Sequence, residues 1–69
     1  MITLDDRLLD AHARNDRTGL IALYAEAADT AHDIDAACFY LTHAYVFALE
    51  KGDPATEVLY QRLKAEGRV

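Results

Sequence analysis

Apolar residues recur along this chain at spacings of three and four, and the rhythm is interrupted where turn-forming residues cluster. The interruptions fall at Asn15-Asp16, around Thr30 to Asp33, and at Gly52-Asp53-Pro54. They divide the chain into four predicted helices, over residues 4–14, 17–29, 34–51 and 54–66. No stretch alternates as a half-buried strand would, so the predicted fold class is all-α.

Each boundary has its own chemistry. Thr3 followed by Asp6 has the spacing of a capping box, in which each side chain satisfies the other's backbone N–H. Asn15 tolerates a left-handed stop, and Asp16 accepts from the free N–H groups of the next first turn. Thr30 or Asp33 caps the third helix, and Gly52 suits the left-handed position that ends it. Asp53 and Pro54 read as N-cap and first residue of the fourth helix, where proline lacks no needed donor; Gly67 ends that helix.

The faces follow from the same periodicity. The first helix offers Leu4, Leu8 and Ala11, widened by Leu9 and Ala13, and the second Leu20, Leu23, Tyr24, Ala27 and Ala28. The fourth places Val58, Leu59 and Leu63 inward. The third is the longest and most apolar. Ala37, Leu41, Ala44, Tyr45 and Ala48 share one face, with Ile34 beside it. The opposite face carries Asp35, Phe39, Thr42, His43, Val46 and Glu50, and Tyr40 and Phe47 lie on the flank. A helix apolar nearly all round seeks burial on more than one side, which three short neighbours cannot supply alone.

The stretch from Asn15 to Asp53 resembles a tetratricopeptide-type repeat, including the Sel1-like repeats of bacteria. Asn15-Asp16 resembles the inter-helix turn, and Ile21, Tyr24 and Ala27 resemble the repeat's second helix. Leu41 with Ala44-Tyr45 resembles the following first helix, and Gly52-Asp53 the turn recurring. The resemblance implies an antiparallel bundle of four helices arranged as two hairpins, and binding of peptides or proteins on a helical surface. Two hairpins fall short of the ~3 repeats that a self-sufficient stack needs, so self-association would supply the missing neighbours.

The chain has 69 residues, 52% hydrophobic and 28% charged, which suits one folded domain over residues 1–69 and excludes compositional disorder. Its single cysteine, Cys38, excludes disulfide staples and a multi-cysteine zinc framework. The net charge is −5, and all of the excess lies between Thr18 and Glu50. That segment holds Glu26, Asp29, Asp33, Asp35 and Glu50 and no Lys or Arg. Such a balance disfavours nucleic acid, whose phosphates need cations, and points instead to solubility or to a partner with a basic surface. The apolar run Ala36 to Leu41 is far shorter than the ~18–20 residues of a membrane span. Asp5 and Asp6 stand where an export signal would carry basic and then apolar residues, so the expected location is a reducing, bacterial-type cytoplasm.

Candidate chemistry is sparse. His32, Asp33, Asp35 and His43 cluster in sequence, with His12 elsewhere, but Asp35 and His43 stand about two turns, or ~12 Å, apart on one helix. No two histidines show the spacing of four used by helical zinc sites, so these residues read as caps and solvated acids. His43 points ~140° away from Cys38 around the helix, too far to serve as its base, and Cys38 reads as a small hydrophobe. Three glycines, Gly19, Gly52 and Gly67, do not make a phosphate loop.

These observations predict a small non-enzymatic interaction or adaptor module, without cofactor, that forms a homo-oligomer, most simply a dimer. Its expected contact residues are Phe39, Tyr40, Thr42, His43, Val46 and Phe47. Two other readings fit: an accessory subunit of a heteromeric complex, or a small-molecule or metal site assembled across a homodimer from His43 or His32 contributed twice.

Overall fold

A computed structural model describes residues 2–68. Four helices follow one another: α1 (Leu4–Ala13), α2 (Arg17–Thr30), α3 (Ile34–Lys51) and α4 (Ala55–Ala65). There is no strand among the described residues.

The helix ends form through the local chemistry expected of them. The Asp6 N–H donates to Thr3 Oγ1 and the Thr3 N–H to Asp6 Oδ2, both at 3.2 Å, completing the capping box. Asn15 adopts a left-handed φ of 55°, which brings the Asp16 N–H onto the Ala11 carbonyl at 2.9 Å. The same closure recurs at Gly52 and Gly67, both at φ 70°: Asp53 donates back to Ala48, and Arg68 to Leu63. Asp16 and Asp33 cap α2 and α3 by accepting from Gly19 and Ala36. Thr30, the alternative cap, lies inside α2 and donates its hydroxyl to the Glu26 and Ala27 carbonyls. Helix α4 begins one residue later than predicted. Asp53 Oδ1 accepts from the Ala55 N–H at 2.8 Å, and Pro54 precedes the regular helix in αR geometry.

Backbone packing follows chain order: α1 on α2, α2 on α3, α3 on α4, and no other pair among the described residues. The Cα positions span 34 × 29 × 12 Å, so the molecule is markedly flat. One core cluster joins Ile21 and Ala28 of α2 to Cys38, Leu41, Ala44 and Ala48 of α3 and Leu59 and Leu63 of α4. The second joins Ala11 to Leu20 and Leu23. Tyr24 and Phe47 pack against both. Ala44 and Ala48 are fully buried; their small side chains let neighbouring helices approach α3 closely.

This thin arrangement overturns part of the expected burial. Leu9 is 68% exposed and Val58 61% exposed, and Ala13 and Ile34 are also exposed. The backbones of α1 and α4 each approach one neighbour only, so a narrow stripe fills most of the contact: Leu4, Leu8 and Ala11 on α1, Leu59 and Leu63 on α4. Val58 instead edges an open groove between α4 and the Ile21, Ala22 and Ala25 side of α2.

Candidate functional site

The outer face of α3 holds the concentration of exposed apolar side chains. The six predicted contact residues divide into two groups. Phe39 is 60% exposed and Val46 45% exposed, and Thr42 between them is exposed too. The Thr42 hydroxyl donates to the Cys38 carbonyl at 2.8 Å, so its polar group is occupied within the helix. Tyr40, His43 and Phe47 turn instead toward α2 and are half-buried. Their common partner is Tyr24, whose ring stacks on His43 at 5.1 Å and on Phe47 at 5.9 Å and lies 6.3 Å from Tyr40.

His12, absent from the predicted contacts, joins this cluster. Its Nε2 lies 3.1 Å from the Tyr24 hydroxyl, and its ring meets Tyr24 and Phe47 edge-on at 6.0 Å. On the other side the Phe39 ring meets His43 edge-on at 4.5 Å. An unbroken run of rings thus leads from α1 through Tyr24 to the exposed Phe39. It fixes where Phe39 stands.

Leu49, 53% exposed, is the residue that sequence reasoning passed over. Together Phe39, Thr42, Val46 and Leu49 are spaced three, four and three apart, the a/d spacing of a helix-pairing seam. That spacing was visible in the sequence, but the seam emerges only once α2 and α4 are seen to leave this side uncovered. The side opposite the seam meets α2 and α4 through Leu41, Ala44 and Ala48. Near the start of α3, Asp35, Cys38, Phe39, Thr42, His43 and Arg68 line a shallow depression of about 540 Å³.

Charge brackets the seam. Arg68 donates to Asp35 Oδ1 at 2.5 Å near one end, and Arg17 lies 3.5 Å from Glu50 Oε2 near the other. The hydrogen bond it donates to Asp35 first, then its electrostatic interactions with Cys38 and the Asp35 carboxylate, hold the Arg68 guanidinium above the ordinary arginine value. Arg7 reaches Glu26 at 2.7 Å and Arg62 reaches Asp29 at 2.6 Å. Four of the five acids between Thr18 and Glu50 therefore face arginines from the flanking segments, and the fifth, Asp33, caps α3. The acidic segment is not a bare acidic surface.

The candidate metal ligands do not converge. Asp33 caps a helix, Asp35 holds Arg68, His43 stacks on Tyr24, and His32 is exposed in the turn between α2 and α3. Among the described residues no three His, Cys, Asp or Glu side chains gather as a metal site. Cys38 is a buried free thiol. No helix among the described residues is long and apolar enough to cross a membrane.

Fold and face together define an all-helical bundle with four helices and an exposed apolar stripe on its longest one. No protein-family model, no curated protein and no solved structure matches this chain.

Proposed function

We propose that this protein is a small non-enzymatic interaction module that self-associates through the outer face of α3. The observation that carries the proposal is the exposed Phe39–Val46–Leu49 stripe, apolar surface concentrated on one helix of a very small chain. Of the polar groups nearest to it, the Thr42 hydroxyl is engaged by the Cys38 carbonyl, while the His43 ring is stacked on Tyr24 and edge-on to Phe39. Apolar area is the dominant feature of the stripe, which suits a protein partner better than a substrate. Because the middle acids face arginines, the apolar stripe rather than a basic-partner preference is the basis of recognition.

The same reading takes the fold as two antiparallel hairpins of tetratricopeptide type, α1–α2 and α3–α4. Its support is the falling register of the cross-helix contacts. Arg7 meets Glu26 while His12 meets Tyr24, and Asp35 meets Arg68 while Tyr45 meets Tyr60. The turns between successive helices are three residues each, a length that favours antiparallel neighbours.

The test is mass as a function of concentration, by sedimentation or light scattering, for the wild type, Phe39→Asp and Val46→Asp. The wild type is expected to shift from monomer toward dimer as concentration rises to ~1 mM, with each aspartate raising the dissociation constant ~100-fold or more. Both positions are exposed, so circular dichroism should show helix content retained. A wild type that stays monomeric throughout removes self-association. If Phe39→Asp and Val46→Asp also abolish capture of a second protein, the accessory-subunit reading takes its place.

A further inference from the structure

We infer that the partner on the α3 face is a second copy of this chain, docked antiparallel about a two-fold axis at the level of Ala44. The inference rests on the proposed self-association and adds its orientation and register.

The first ground is the order of sizes along the seam. Phe39, Thr42, Val46 and Leu49 lie symmetrically about Ala44. An antiparallel copy therefore sets Phe39 against the partner's Leu49 and Thr42 against the partner's Val46. The two outer layers then each hold one Phe39 and one Leu49 and the two inner layers one Thr42 and one Val46, so the layers differ less in volume than in the parallel alternative. A parallel copy would set Phe39 on Phe39 and Thr42 on Thr42, leaving a thin layer next to an overfilled one.

The second ground is charge. Arg68 arrives from the end of α4 and lies over the first turns of α3, lining the depression with Asp35 and Cys38. In the antiparallel register the partner's Glu50 comes to the level of Cys38, beside that guanidinium. Arg68 is shown donating to Asp35 through one nitrogen only, which leaves further donors of its fork free. Glu50 is held loosely, at 3.5 Å from Arg17. Each copy thus supplies one Arg68 and one Glu50, and the two-fold makes two such cross-pairs. The parallel arrangement would face Glu50 with Glu50 and Arg68 with Arg68, placing like charges together.

The third ground sets the strength. Phe39 and Leu49 are ten residues apart, ~15 Å along the axis, a short seam beside the ~800 Å² per partner of a stable interface. The dimer is accordingly weak and concentration-dependent.

The experiment is a charge exchange read by sedimentation equilibrium at low salt on the whole chain. Glu50→Arg and Arg68→Glu are each expected to weaken the dimer ~10-fold, and the double variant E50R/R68E to return it to within ~3-fold of wild type. V46D is run beside them. A dimer abolished by V46D, in which neither single exchange weakens association or E50R/R68E fails to restore it, overturns the antiparallel register and leaves self-association standing. A wild type monomeric at ~1 mM, or a dimer indifferent to V46D, overturns both. Helix content by circular dichroism and the monomer mass at high dilution confirm that each variant is folded.

Discussion

Replacing Tyr24 by alanine removes a side chain that packs against both core clusters and through which α1 is tied to α3. The magnitude follows from what the ring touches. Burying about half of an aromatic side chain contributes ~2 kcal/mol, and stacking on His43 and Phe47 adds ~1 kcal/mol. The contact between the Tyr24 hydroxyl and His12, at an exposed position, adds ~0.5 kcal/mol. The loss of ~3 kcal/mol compares with a total of ~3–10 kcal/mol for a chain of this length. Tyr24→Ala should therefore lower the thermal midpoint by ~15 °C or more, whereas Tyr24→Phe, which keeps the ring, should cost under ~1 kcal/mol. The assay is urea unfolding followed by circular dichroism in dilute solution, with hydrogen exchange to localise the effect. Amides of α1 should lose protection first, because its backbone packs on α2 alone. A Tyr24→Ala variant within ~1 kcal/mol of wild type would refute the bridging role. A Tyr24→Phe variant as damaged as Tyr24→Ala would show that the hydroxyl, not the ring, holds the junction.

Two further outcomes probe packing and capping. Leu63→Ala, at a side chain only 1% exposed, should cost ~2–5 kcal/mol by urea midpoint, while Val58→Ala, earlier on the same helix and 61% exposed, should cost under ~0.5 kcal/mol; comparable losses would contradict the facing of α4. At the start of α2, a Cβ on Gly19 would lie 2.3 Å from Asp16 Oδ2, so Gly19→Ala displaces the capping carboxylate and should be near neutral despite alanine's better helix propensity. Once Asp16→Ala has removed the cap, at a cost of ~1 kcal/mol, the same Gly19→Ala change should stabilise by ~1 kcal/mol; additive behaviour in that double-mutant cycle would disprove the clash.

The candidate face was legible in outline. Phe39, Thr42 and Val46 were placed opposite the core by periodicity alone, and the structure leaves them exposed. Tyr40 and Phe47 were ambiguous because their angle on the helix serves either α2 or a partner, and only the position of Tyr24 resolves them. Leu49 and Arg68 were missed for a similar reason. Leu49 matters because nothing covers it, and Arg68 matters because the end of α4 comes back to the start of α3.

The amino-acid sequence by itself determined where the helices begin and end, since caps and left-handed turns are made among residues a few positions apart. Thr3 with Asp6, Asn15 with Asp16, Asp33 and Gly52 carry those instructions without help from the rest of the chain. Tertiary structure alone decided which apolar residues stay in water. Leu9 and Val58 have the spacing of core residues, yet remain exposed because the backbone of each outer helix approaches one neighbour only. It likewise decided the fate of the acidic segment, whose partners Arg7, Arg62 and Arg68 stand 19 and 33 residues from the acids they meet. Burial and long-range pairing depend on how many elements surround a side chain, and that number is a property of the assembled fold.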